Sequence, residues 1–160
     1  MASHPPLLIK RLSEDIYIYT SFNTYNGKQY AANGMYIVTS QGVVLVDSPW
    51  DTSQFQPLLD SIENRHQQPV VMCLATHYHE DRTAGLGYFR AQGIKTYTTA
   101  LTDSLSRAEG YELAEHLIYN DTTFRVGDLS FSTYFPGHGH APDNIVVWIE
   151  ASKVLFGGCF

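Results

Sequence analysis

Basic residues are scarce in this sequence. Ten Lys and Arg face sixteen Asp and Glu among 160 residues, for a formal net charge of -6. That balance argues against nucleic acid or an anionic membrane as the main partner. Two cysteines are too few for a disulfide framework. No apolar run approaches the roughly 20 residues of a membrane-spanning helix. The opening MASHPPLLIK has no apolar segment of the signal-peptide kind, which reads as a cytosolic protein or as a mature form with its signal removed. Repeats, low-complexity tracts and linkers are absent too, so the length predicts one domain over residues 1–160. What the chain does have is apolar and aromatic: 44% hydrophobic, 13% aromatic with eleven Tyr. That composition excludes disorder, and the size is enough to hold a core. Four of its seven histidines lie in two tight pairs.

The first fifty residues read as strands. Leu7–Leu12 and the run Ile16, Tyr17, Ile18, Tyr19 come first, and Asn26-Gly27 is a dipeptide that favours a tight hairpin turn. Met35–Thr39, a turn at Gln41-Gly42 and Val43–Asp47 complete a β-meander. Phe55, Leu58, Leu59 and Ile62 recur at helical spacing behind Thr52 or Ser53 as cap. Pro69–Thr76 is apolar without alternation, as in a strand covered on both faces. Helices over Ala84–Gln92 and Thr99–Arg107 flank a strand at Ile94–Thr98. Strands return at His116–Tyr119, Leu129–Phe135, Ile145–Ile149 and Lys153–Phe156. The order predicts an α/β layered sandwich. The chain stops at Gly157-Gly158-Cys159-Phe160, directly after a strand, which reads as an interruption.

Chemistry collects where strands end. His77-Tyr78-His79-Glu80-Asp81 follows the buried strand, at the carboxyl end where ligands gather in open α/β sheets. Imidazoles with a carboxylate suit zinc, and the i, i+2 histidine spacing suits a turned loop better than a helix face. A second loop, Pro136-Gly137-His138-Gly139-His140, offers either histidine as a ligand. Cys159 behind two glycines is placed to present a thiolate. Five donors exceed one tetrahedral ion, so two metal positions follow: three histidines with an open place for water, and Asp with Cys beginning another. Asp47, ending the strand VVLVD, either supports the site or is a solvated carboxylate. Trp50 either lines the site floor or belongs to the core. Cys73 reads as a small buried apolar residue, and His4, His66 and His116 as surface or packing residues.

The stretches YAANGMYIVTSQGVVLVDSPWD, HYHEDR, GIKTYTTALTDSL, PGHGHAPDNIVVW and VLFGGC together cover nearly the whole chain. They resemble, in the same order, the class B metallo-β-lactamases of the first subclass, the broad-spectrum two-zinc enzymes. The resemblance implies an αβ/βα sandwich of two mixed sheets flanked by helices. It also implies zinc-dependent hydrolysis of the β-lactam amide in penicillins, cephalosporins and carbapenems, and hence antibiotic resistance. Zinc would lower the pKa of water to about 7 and so provide the nucleophile. By the same resemblance His77, His79 and His140 hold the first zinc, Asp81 and Cys159 the second, and Arg82 stands beside the Cys site. Tyr25 matches the aromatic of a mobile hairpin flap over the substrate. Many relatives of the wider fold, glyoxalase II-like and ribonuclease Z-like hydrolases among them, carry a His where this chain has Arg82. Ala141 stands where the family usually has Thr, and His138 is an additional loop histidine. The family's third ligand for the second zinc, and the Lys and Asn that meet substrate, lie beyond Cys159. The expectation is therefore a chain lacking the C-terminal part of the family, binding at most one zinc tightly. A monomer in the periplasm or secreted is expected. The alternatives are a thioester, lactone or phosphodiester hydrolase of the same fold, or an inactive zinc-binding fragment.

Overall fold

The structure, a computed structural model, describes residues 5–159, so His4 lies outside it. Eleven strands form two sheets among the described residues. The first runs β1 (Leu8–Arg11), β2 (Ile16–Tyr25), β3 (Lys28–Thr39), β4 (Gly42–Val46), β5 (Val70–Leu74), β6 (Lys95–Thr99) and β7 (His116–Ile118), in sequence order across the sheet. Strands β1 to β4 pair antiparallel through short turns. From β4 onward the pairing is parallel. Parallel neighbours need a crossover, and helices α1 (Phe55–His66), α3 (Leu86–Ala91) and α4 (Ala100–Glu109) supply them. The second sheet holds β8 (Thr122–Val126), β9 (Leu129–Tyr134), β10 (Val146–Ile149) and β11 (Val154–Phe156) in the order β11-β10-β9-β8. All its pairs are antiparallel, so only the first sheet is mixed.

One strand serves two cores. Val43 and Leu45 of β4 face Phe55, Leu58 and Ile62 of α1 and Leu86 and Phe89 of α3. Val44 and Val46 face Phe131, Val147 and Ile149 of the second sheet. Successive side chains point to opposite faces of a strand, so a run buried on both must be apolar throughout. That explains VVLV and the equally unbroken VVMCL of β5. A register shift between Val43 and Val44 against β5 inserts Val71 opposite no partner. Such a bulge cannot be read from apolar character alone.

The remaining expectations shift at element ends. The hairpin tip is at Asn26-Gly27, where both residues have positive φ (48° and 73°), as a type I′ turn requires. The turn before β4 is carried by Ser40 and Gln41, and the strand itself begins at Gly42. Asp51, rather than Thr52 or Ser53, caps the turn before α1: its carboxylate accepts from the Ser53 amide at 2.8 Å. Two elements were not expected from the sequence, the single turn α2 (Glu80–Thr83) and the strand β8. Both are short, and β8 alternates between half-buried and exposed, with no fully buried residue. No helix among the described residues is long and apolar enough to cross a membrane.

Candidate metal centre

Three imidazoles meet at the strand ends. His77 follows β5, His79 precedes α2, and His140 lies in the loop between β9 and β10. One ligand nitrogen of each lies within 4.8 Å of the others. His79 Nδ1 and His140 Nε2 are 3.1 Å apart, close to the roughly 3.3 Å that separates two nitrogens held at about 2.0–2.1 Å on one tetrahedral ion. His77 is fully buried, and its Nε2 has no hydrogen-bond partner. Its Nδ1 sits 3.3 Å from the Thr76 hydroxyl, which leaves Nε2 as the free donor. Burial, followed by the charges of Arg82, His79 and His140, pushes the His77 pKa down to about 3. The ring is neutral at neutral pH, as a metal ligand must be. An orphaned buried nitrogen and three convergent imidazoles, His140 among them exposed, fit a divalent metal of the zinc type.

Beside this cluster lies a buried charged network. Arg82 donates to Asp47 Oδ2 at 3.0 Å, to the Asn33 carbonyl at 2.6 Å and to Cys159 Sγ at 2.9 Å, and pairs with Asp81 Oδ2 at 3.4 Å. Burial pulls the guanidinium pKa down, but Asp47, Asp81 and Cys159 outweigh it and hold Arg82 above its ordinary value. Asp47 is wholly buried, which removes the reading of it as a solvated carboxylate. It also accepts from the Thr76 amide at 2.7 Å and the Thr76 hydroxyl at 3.0 Å. Burial lifts its carboxyl to about 6 against the pull of Arg82 and Thr76. Asp47 sits at φ 67°, a left-handed backbone uncommon outside glycine. The Tyr19 hydroxyl pins its carbonyl at 2.6 Å. Asp81 and Cys159 thus lie side by side on one guanidinium, outside the histidine cluster. Burial raises the Cys159 thiol above its ordinary value, and Arg82 offsets only part of that rise.

Other sequence candidates separate cleanly. His138 is exposed, its ring centroid 6.2 Å from that of Phe135, and stands apart from the three histidines. Tyr25 is 59% exposed at the hairpin tip. Trp50 is half-buried after β4, and no ring contact joins it to the histidines among the described residues. Cys73 is buried in the core. His66 packs on Tyr17 and Tyr36, and His116 stacks on Tyr97. Sequence reading gave no role to Thr76, Asp143 or Asn144. Asp143, 1% exposed, accepts from Thr102 of α4 at 2.6 Å. Asn144, wholly buried, donates to the carbonyl of Gly157 at 3.0 Å. Their one signal was position: two polar residues squeezed between a ligand loop and an apolar strand.

A two-sheet α/β sandwich with three imidazoles gathered at the strand ends defines a metal-binding protein whose site lies on the rim of its sheets. The sequence model of the Metallo-beta-lactamase superfamily matches residues 27–160. The metallo-beta-lactamase type 2 of Elizabethkingia meningoseptica is 46% identical over 155 residues, covering 97% of this chain and 62% of that protein. Metallo-beta-lactamase IND-1 of Chryseobacterium indologenes is 43% identical over 148 residues, covering 92% of this chain and again 62% of the relative. The crystal structure of metallo-beta-lactamase IND-7 superposes with a TM-score of 0.91 at 42% identity, over 96% of this chain and 71% of that one. The chain belongs to the metallo-beta-lactamase superfamily. It spans 62% of the length of the two curated relatives just named.

Proposed function

We propose that this protein is a zinc-dependent hydrolase of the β-lactam amide bond. The observation that carries the proposal is the convergence of His77, His79 and His140 with the buried Nε2 of His77 unpartnered, in a chain whose relatives are named metallo-beta-lactamases. Zinc held by these nitrogens would supply Lewis acidity and acidify water at neutral pH. His77, His79 and His140 bind and orient that ion, and the buried network behind them keeps them in place. Asp81 and Cys159 begin a second zinc position, with Arg82 keeping both in register. The Asp81 carboxylate is positioned to hold a proton or a metal at the cluster's edge. By the family resemblance Tyr25, on its exposed tip, would close over a bound substrate, and Trp50 would border it. With that function goes the expectation of a monomer in the periplasm or outside the cell, which fractionation and sedimentation would check.

The deciding experiment is hydrolysis of a penicillin, a cephalosporin and a carbapenem by the purified protein, with and without a chelator. Zinc-restored turnover is expected. Zinc binding without turnover of any of the three, alongside turnover of a thioester or phosphodiester, would overturn the assignment.

A further inference from the structure

Three separate loops carry the five candidate ligands, and something must fix their mutual distances. The sulfur of Cys159 is held by Arg82 at 2.9 Å, and its loop needs a backbone anchor as well. That loop leaves β11, a three-residue strand whose last ladder pair is Val147 with Phe156. The backbone beyond that pair receives a hydrogen bond from Asn144, whose Nδ2 donates to the Gly157 carbonyl at 3.0 Å and to the Ile145 carbonyl at 3.1 Å. Asn144 also closes the His140 loop, its amide donating to the Ala141 carbonyl at 3.4 Å. The next amide, Ile145, donates to the carbonyl of Thr76 at 2.9 Å, next to His77. One residue therefore touches the Cys159 loop and the His140 loop, with the His77 strand end one peptide away.

The fit around this joint is close. Gly158 has φ 65°, and a Cβ there would lie 2.7 Å from Thr76 Oγ1 and 3.2 Å from Asn144 Oδ1. The backbone of residue 158 thus seats directly on Asn144 and Thr76, which only glycine permits.

We propose that Asn144 is a positioning residue that sets the place of the Cys159 sulfur relative to the histidine cluster, and so the strength of the second metal position. This rests on the reading of Cys159 as a ligand. Losing the amide donor leaves the Gly157 carbonyl unpaired and frees the loop, while His77 and His79 keep their own anchors through Thr76 and α2.

The test compares wild type with Asn144→Ser and with Gly158→Ala, which keeps Asn144 but forces its seat apart. Two readouts are taken on each protein: the zinc concentration that half-protects Cys159 from iodoacetamide, and the concentration that loads the histidines, followed by their imidazole NMR signals. Cys73, buried in the core, reports folding by remaining unlabelled. We expect half-protection to need about tenfold more zinc in both variants, the effect of one lost hydrogen bond, with histidine loading unchanged in Asn144→Ser; Gly158→Ala, whose methyl also crowds the Thr76 hydroxyl beside His77, is read on Cys159 alone. An unshifted half-protection in folded Asn144→Ser, or in Gly158→Ala should Asn144→Ser not fold, overturns the assignment. Failure of zinc to protect Cys159 in wild type overturns both it and the ligand reading beneath it.

Discussion

Two histidines two residues apart, His138 and His140, show how geometry divides chemically equal residues. His140 Nε2 lies 3.1 Å from His79 Nδ1, while His138 projects into solvent beside Phe135. His140→Ala should weaken zinc binding well beyond the roughly 10–100-fold that follows loss of an outer partner. His138→Ala should leave it unchanged. Zinc titration of the two variants checks this, and a matching loss in His138→Ala would reassign the ligand. The spacing of the pair in sequence left either one eligible, because a glycine-rich loop turns in ways that spacing does not specify. Asp47 was similarly open. Its charge advertised exposure, and only the placement of Arg82 and Thr76 around it made burial tenable.

At the scale of elements, the β2–β3 hairpin supports the site from beneath. Tyr19 and Gly34 are cross-strand partners, and a Cβ at Gly34 would lie 2.1 Å from the buried Tyr19 ring. Gly34→Ala should displace that ring from the Asp47 carbonyl and destabilise the fold by about 1–3 kcal/mol. Urea denaturation measures the loss, and an unchanged midpoint would refute it. Helix α1 meets the same sheet through His66, whose Nε2 lies 3.0 Å from the Tyr36 hydroxyl. Burial and then Arg65 lower the His66 pKa, against a smaller opposing pull from Asp15. A lowered histidine contributes stability above its unfolded value of about 6.5 and loses it as pH falls from there towards the folded value. The melting temperature of wild type should therefore fall more than that of His66→Gln between pH 7.5 and 5. Parallel behaviour of the two across that range would show that His66 does not titrate with folding. Most strands and helices were legible because apolar runs or helical spacing sit between turn residues. Turn α2 was missed because four residues make one turn and carry no period, and β8 because its TTFRV alternates half-buried with exposed residues and holds no fully buried one.

Across the whole molecule, the seven-stranded sheet is shared by two cores and carries ligands at its rim. Metal binding should thus report on global stability. An ion that binds the folded state alone raises stability by about 2.7 kcal/mol at a hundred times its dissociation constant. Zinc should raise the melting temperature of wild type and a chelator should lower it, while His77→Ala should respond to neither. A zinc-insensitive wild type would contradict the metal centre. The sequence by itself determined the layered α/β class, the doubly buried strand β5, the hairpin tip and the residue types that bind metal. These follow from local patterns, since burial on both faces demands apolar residues and a tight turn demands positive φ. Tertiary structure alone decided that Asp47 is buried on Arg82 and that Asn144 fastens the Cys159 loop, and it is what gathers His140, the histidine the resemblance had named, onto His79 while leaving His138 apart. Each of those depends on residues 13 to 61 positions apart meeting at strand ends, and no local period encodes such a meeting.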